Sequence, residues 1–191
     1  GETRATARLV VADDEGRPNY GGTPSDASVM AAIRAIRARG LKVVFYPFVL
    51  MDVPPGNGLT DPYGGAEQAA FPWRGRITVS PAPGRAGSPD GTADADAAIA
   101  AFAGAAAADD FAPSEEGVAY DGPEEWSLRR MILHYAHLAV QAGGVDAFLV
   151  GSELRGLTWV RGADGYPFVD ALLALAVDVR TLVRPDTKIF Y

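Results

Sequence analysis

The chain has 191 residues, no cysteine and a net charge of −7, and nearly half of its residues are apolar. This is the composition of a globular protein of one domain, and it excludes a collagen-like rod, a coiled coil and a disulfide-stapled scaffold. The acidic balance provides no electrostatic footprint for nucleic acid. No apolar run is long enough to span a membrane, and the amino terminus shows no signal peptide.

Apolar periodicity and turn residues predict strands that alternate with helices. In chain order we predict a strand at residues 8–12, a helix at 25–39, a strand at 42–50, a helix from 123 to 142, a strand at 145–150, a helix at 167–183 and a strand at 187–191. Alternation of this kind is typical of parallel βαβ units. We therefore predict an α/β fold with a parallel sheet.

Local signals place the ends of these elements. Thr23 is the predicted cap of the first helix, and Gly40 ends that helix. Pro47 must lie near the end of its strand or at a bulge, because proline cannot donate to a strand ladder. Pro123 is the predicted opening residue of the helix that follows the long central segment.

A long insertion, from about residue 52 to 122, follows the second predicted strand. It holds most of the prolines and glycines of the chain. Within it, residues 76–79 predict a short strand and residues 94–108 an alanine-rich helix. Its aromatic residues indicate that it packs on the rest of the molecule. Long insertions of this kind are usually functional or disordered, and we expect an ordered one.

Candidate reactive groups follow the strands, because parallel α/β folds place their sites at the carboxyl ends of the strands. Glu153 follows the strand at 145–150 and is positioned like a general acid/base. The alternative is a structural carboxylate, ion-paired with Arg155. Asp52 follows the second strand, where it either binds a substrate hydroxyl or caps a turn. Asp13 and Asp14 are interpreted as a solvated turn.

Aromatic residues offer platforms on which sugar rings stack. The candidates are Tyr46, Trp73 and Trp159, and the alternative for each is ordinary packing. Trp126 lies at helical spacing and is predicted to be part of the core.

The sequence contains no recognisable metal or cofactor motif. His134 and His137 are three residues apart and lack the spacing of a helical zinc site, so no metal and no cofactor are expected.

Several unusual segments resemble a known family. They resemble the TIM-barrel-like domain of gene transfer agent and phage tail proteins, the large tail-tip proteins also described as the glycoside hydrolase/phage tail family. The segments are Asn19–Ser28, Phe45–Phe48, Pro54–Gly58, Asp61–Gly65, Phe71–Ile77 and Gly151–Thr158. The resemblance extends from about Arg17 to Tyr191.

The resemblance implies a portion of a (β/α)8 barrel of glycoside-hydrolase type. In the similar retaining glycosidases the acid/base glutamate ends the fourth strand, which matches Glu153, and an asparagine usually precedes it. Ser152 stands in that place here. This departure puts the usual contact with the sugar 2-hydroxyl in doubt and favours a non-catalytic module.

The family also implies a setting. It implies a component of a particle tail, assembled in the bacterial cytoplasm, whose partners are other tail or baseplate proteins and cell-wall or capsule polysaccharide. Residues 1–191 are expected to be one partial barrel domain from a larger tail protein. Glycoside hydrolysis takes two carboxyl groups, and Glu153 is the single good candidate, so the fragment alone is expected to be inactive.

Overall fold

The computed structural model describes residues 23–115 and 117–191. The predicted strand at 8–12 and the carboxylates Asp13 and Asp14 lie outside these residues. The helices α1 to α5 span Asp26–Ala38, Ala93–Ala103, Leu128–Gln141, Arg155–Thr158 and Pro167–Leu182. The strands β1 to β5 span Val44–Phe45, Phe111–Pro113, Val118–Tyr120, Ala147–Leu149 and Lys188–Phe190.

A parallel sheet of β1, β4 and β5, in that order, organises the molecule. The chain returns through α3 between β1 and β4, and through α5 between β4 and β5. Strands β2 and β3 form a separate antiparallel hairpin. The predicted α/β alternation with parallel strands is therefore confirmed. The architecture is consistent with part of a TIM barrel, and the strands within the described ranges do not form a closed barrel.

Helix α3 supplies much of the core. It packs against α1 and α5, and α2 packs against α5. From the sheet, Phe45 meets the ring of Tyr135 edge-on at 5.6 Å between centroids and the ring of Phe148 at 5.8 Å. The buried residues of α3 are Leu128, Ile132, Leu133, His134, Tyr135, Ala136, Leu138 and Ala139. One apolar face of this helix is therefore buried in the core.

Among the described strands, the opposite face of the sheet is exposed at the two outer strands, β1 and β5. Val44 is 65% exposed and Phe190 is 52% exposed, although both lie in strands. Side chains alternate between the faces of a strand, so Phe45 meets the helices while Val44 points away from them. One face of this sheet is thus covered by helices, and the other presents apolar side chains.

The helices at 25–39 and 167–183 are confirmed to within one residue at each end. The cap of α1 is different, however. Ser25, not Thr23, lies at the N-cap, and its side chain accepts a hydrogen bond from the backbone N–H of Ser28. The helix therefore starts two residues later than a Thr23 cap would place it.

The prediction that Pro123 opens the third long helix is wrong. Helix α3 begins at Leu128, and Ser127 Oγ accepts from the backbone N–H of Arg130 at 3.1 Å. The residues before Ser127 make a tertiary contact instead. The Glu125 carboxylate accepts hydrogen bonds from the backbone N–H groups of Ala105 and Ala106. A tertiary contact of this carboxylate keeps the segment out of the helix.

Two predicted strands are shorter or missing. The short strand predicted at residues 76–79 is missing, and residues 74–76 form a 3-10 turn. The N–H groups of Arg76 and Ile77 bond to nearby carbonyls and not to a second strand. The strand predicted at 42–50 is reduced to Val44–Phe45, which ends just before Pro47. The alanine-rich helix is confirmed, but it ends at Ala103 because Gly104 adopts a φ of 87°.

None of the helices in residues 23–115 and 117–191 combines the length and apolar character needed to cross a membrane.

Candidate functional site

A cluster of polar and aromatic side chains lies at the carboxyl ends of the three parallel strands. Tyr46 follows β1, Glu153 lies in the loop after β4, and Tyr191 follows β5. Parallel strands end at the same edge of a sheet, which brings these loops together. The segment after β1 adds Trp73 and Arg74 to the same place.

Glu153 is the centre of this cluster. Its Oε2 accepts a hydrogen bond from Trp73 Nε1 at 3.1 Å and pairs with Arg74 Nη2 at 2.5 Å. The Glu153 side chain remains 47% exposed. Its backbone has a φ of 56°, in the left-handed region that residues with a side chain seldom adopt. The carboxylate is thus oriented by two partners and open to solvent.

Arg74 links the carboxylate to the end of β1. Its Nη2 also donates to Tyr46 Oη at 3.3 Å, and its guanidinium lies 4.6 Å from the centroid of the Phe48 ring. The Arg74 Nε is buried and has no hydrogen-bond partner among the described residues. The cluster therefore places a guanidinium–carboxylate contact in an aromatic setting.

A close backbone contact at Gly156 holds the segment that carries Trp73 and Arg74 against the loop after β4. A Cβ on Gly156 would lie 2.4 Å from the Ile77 carbonyl oxygen and 2.7 Å from that of Gly75. Thr78 Oγ1 donates to the Gly156 carbonyl at 2.8 Å. Only glycine lets the two backbones approach this closely.

Tyr191 closes the cluster on the β5 side. Its hydroxyl accepts a hydrogen bond from the Leu154 backbone N–H at 3.1 Å. Burial raises the pKa of the Tyr191 phenol above its usual value, so the hydroxyl stays protonated at neutral pH. The phenol thus supports the backbone directly after Glu153.

The other predicted site residues form no hydrogen bond or ion pair with this cluster in the described parts of the chain. Asp52 is exposed and forms no hydrogen bond or ion pair with any described residue. The Arg155 guanidinium lies 3.8 Å from the centroid of the Trp159 ring and does not pair with Glu153. Arg155 and Trp159 form a separate, exposed pair on the α4 side of the loop.

Trp126 and the two histidines have structural partners. Trp126 is 37% exposed and lies beside Arg130, so the prediction that it belongs to the core is wrong. It precedes α3 and does not occupy the helix's buried stripe. His134 pairs with Asp26, and His137 Nε2 bonds to the Ala108 carbonyl. No three His, Asp or Glu side chains converge on a metal position in the described parts of the chain.

Sequence reasoning missed Arg74, Phe48 and Tyr191. Arg74 lies 79 positions before Glu153, and no local pattern indicates their contact. The signal available was indirect, since Phe48 and Arg74 both lie inside segments that carry the family resemblance. Tyr191 has only its place at the end of the strand predicted at 187–191 to identify it.

The arrangement contains hydrogen-bonding and aromatic groups but one carboxylate among the described residues. Glycoside hydrolysis needs two carboxyl groups, roughly 5–10 Å apart. Within the described ranges, Glu153 is the one carboxylate in the hydrogen-bond and ion-pair contacts of this cluster. A carboxylate, a phenol and an exposed indole can bind a hydroxyl-rich ligand without any second acid.

Comparison with known proteins connects part of the chain to a family. Residues 126–191 match the family described as the GTA TIM-barrel-like domain. The match spans about a third of the chain, including α3, β4, the Glu153 loop, α5 and β5. It confirms the resemblance to gene transfer agent proteins. No curated protein matches the chain.

Proposed function

We propose that this chain, which carries a GTA TIM-barrel-like domain at residues 126–191, is a tail-tip component of a gene transfer agent or phage-like particle that binds glycan of the recipient cell envelope. The observation that carries this proposal is the exposed Trp73 ring, held by Glu153 at the carboxyl ends of the parallel strands. Other tail or baseplate proteins are its proposed neighbours in the particle.

The chemistry of the cluster supports a sugar ligand. A pyranose has an apolar face and a rim of hydroxyl groups. The Trp73 indole is 51% exposed and can pack on such a face, while its N–H is already held by Glu153. The second oxygen of Glu153 and the hydroxyl of Tyr46 are hydrogen-bonding groups for the rim.

Binding is favoured over hydrolysis by the number of carboxylates in the cluster. Glycoside hydrolysis takes two carboxyl groups. Among the described residues, Glu153 is the one carboxylate in the hydrogen-bond and ion-pair contacts of the cluster, and it is already engaged by Trp73 and Arg74. Hydrolysis with Glu153 as acid/base is the second candidate function, supported by its position after β4.

The test is binding to purified envelope material. We expect the protein to co-sediment with cell-wall sacculi or to be retarded in gels that contain capsule polysaccharide. Trp73→Ala should weaken this binding by about tenfold or more, as loss of a central aromatic contact does. Tyr166→Ala removes an exposed aromatic ring outside the cluster and should change binding by less than about twofold.

The same material tests hydrolysis. Release of reducing ends that is lost in Glu153→Gln would establish a glycosidase and contradict the proposed binding role. Binding that is absent, or equal in the unaltered protein and Trp73→Ala, would instead leave a purely structural role in the tail.

A further inference from the structure

A second cleft lies beside the first turns of α3. Its volume is about 310 Å³, at the lower end of the range for small-molecule sites. Phe111, Tyr120 and Trp126 supply aromatic walls, and the other lining residues are Val118 of the hairpin and Arg130, Met131 and His134 of the helix. The β2–β3 hairpin forms the opposite wall.

The cleft lies on the same end of the molecule as the Glu153 cluster. Helix α3 returns the chain toward the start of β4, so its first turns lie at the carboxyl ends of the strands. Met131 lines both this cleft and a small crevice formed with Phe48 and Gly151. The cleft and the crevice beside the Glu153 loop are therefore separated by the Met131 side chain.

Arg130 is the distinctive group of the cleft. Its guanidinium lies 4.0 Å from the centroid of the Tyr120 ring and 3.9 Å from that of the Trp126 ring. Nη1 donates to the Glu125 backbone carbonyl, and no described residue accepts from Nε or Nη2. Stacking uses the faces of the guanidinium and leaves its N–H edge available for a carboxylate.

Three carboxylates near the cleft already have partners. Asp26 bonds to His134 through Oδ1 and to the Val118 N–H through Oδ2. Asp110 accepts from the Ala107 N–H, and the Glu125 carboxylate accepts from Ala105, Ala106 and Ser127. His134 is committed to Asp26, so Arg130 is the cation with open donors among the described residues that line the cleft.

We propose that this cleft is a second glycan subsite, which takes a carboxylate-bearing sugar unit. The aromatic walls pack on the ring of the sugar, and the Nε–Nη2 edge of Arg130 binds its carboxylate. The proposal rests on the proposed function, because it assumes that the protein binds envelope glycan. It adds the chemical class of the ligand, an acidic sugar, and the residue that selects it.

The test compares three probes on the unaltered protein by NMR of the tryptophan indole N–H groups. The probes are methyl glucuronide, methyl glucoside, which lacks the carboxylate, and acetate, which lacks the ring. A Trp126→Phe spectrum assigns the relevant signal. We expect a saturable shift of the Trp126 signal with glucuronide and none with glucoside or acetate. Equal responses to glucuronide and glucoside, or to glucuronide and acetate, would overturn the proposal.

Substitution identifies the selecting residue. Arg130→Gln should weaken glucuronide binding by about tenfold or more, since a charge-assisted hydrogen bond is lost. Arg130→Lys keeps the charge without the planar fork and should bind with intermediate affinity. Arg39→Gln removes the same charge from the exposed end of α1 and should have no effect. Equal affinities of the Arg130→Gln and Arg39→Gln variants for glucuronide would overturn the assignment of Arg130 as the selecting residue.

Different experimental results would contradict the proposed function and the acidic-sugar subsite. Trp73→Ala should leave the glucuronide shift of Trp126 unchanged, because Trp73 does not line this cleft. Envelope binding that is insensitive to Trp73→Ala, with glucuronide binding still dependent on Arg130, would contradict the proposed function alone. Envelope binding that needs Trp73, with no response of Trp126 to glucuronide, would contradict the acidic-sugar subsite alone.

Discussion

Glu153 shows how one residue is held in an unfavourable conformation by its neighbours. A positive φ on a residue with a side chain costs of order 1 kcal/mol, and glycine would remove that cost. Glycine would also remove the carboxylate that holds Trp73 and Arg74. The Tyr191 hydroxyl supports the next backbone N–H. Strain at this position is therefore combined with three contacts from distant segments.

His137 couples stability to pH at the residue scale. It lies against the Phe111 ring, and its Nε2 bonds to the Ala108 carbonyl. Burial lowers the pKa of His137 below 6.5, with His134 lowering it further and Asp109 opposing. As pH falls, the unfolded chain therefore takes up this proton first, and folding loses stability below about pH 6.5.

We expect His137→Gln to flatten this dependence. The free energy of unfolding in urea should fall less between about pH 7.5 and 5 in the variant than in the unaltered protein. The glutamine amide can still donate toward the Ala108 carbonyl, and His134 is present in both proteins. The proposed origin would be refuted by identical pH profiles.

The helix starts illustrate the scale of single elements. Ser25 caps α1 at the surface, with its Oγ 3.3 Å from the Ser28 N–H. Ser127 caps α3 in a buried position, and its hydroxyl also donates to the Glu125 carboxylate. The Glu125 carboxylate in turn binds the backbone that follows α2. The cap of α3 is therefore part of a contact between two elements.

This difference predicts unequal costs for the same substitution. Ser127→Ala should lower the free energy of unfolding by about 1–2 kcal/mol, because the cap and a partner of Glu125 are both lost. Ser25→Ala should lower it by about 0.5–1 kcal/mol, since only an exposed cap is lost. Chemical denaturation of both variants measures the difference, and a larger loss in Ser25→Ala would contradict this account.

At the scale of the whole molecule, the long segment between β1 and α3 is tied to the loops after β4. Trp73 and Arg74 bind Glu153, and Asp96 accepts from the Ala163 N–H. Asp90 accepts from the backbone N–H of Arg161 at 2.7 Å and pairs with its guanidinium. These hydrogen bonds lower the pKa of Asp90 below its usual value. The segment is ordered by ties distributed along its length.

Asp90→Asn should loosen one of these ties. The charge that pairs with Arg161 is lost, and we expect trypsin to cut after the exposed Arg85 several-fold faster. Asp186→Asn breaks a comparable surface pair with Arg184 outside this segment and should leave cleavage at Arg85 unchanged. Equal cleavage rates in the three proteins would show that the Asp90 pair does not order the segment.

The sequence alone determined the features that depend on neighbouring residues. Helices α1 and α5 follow from apolar spacing and from Gly40 and Pro167 near their ends. The alternation of strands and helices dictated a parallel sheet. Parallel strands in turn dictated that the carboxylate after β4 lies at the carboxyl edge of the sheet, which the position of Glu153 in the loop after β4 confirms.

Only the tertiary structure decided the features that depend on distant contacts. Local pattern offered Arg155 as an alternative partner of Glu153 and predicted Pro123 as a helix start. Packing instead brought Arg74 to Glu153 across 79 positions and engaged Glu125 with the end of α2. It also left Trp126 outside the core, over Arg130. A residue's propensity is set by its neighbours in sequence, whereas the partner of a charge or a ring is set by which segments the fold brings together.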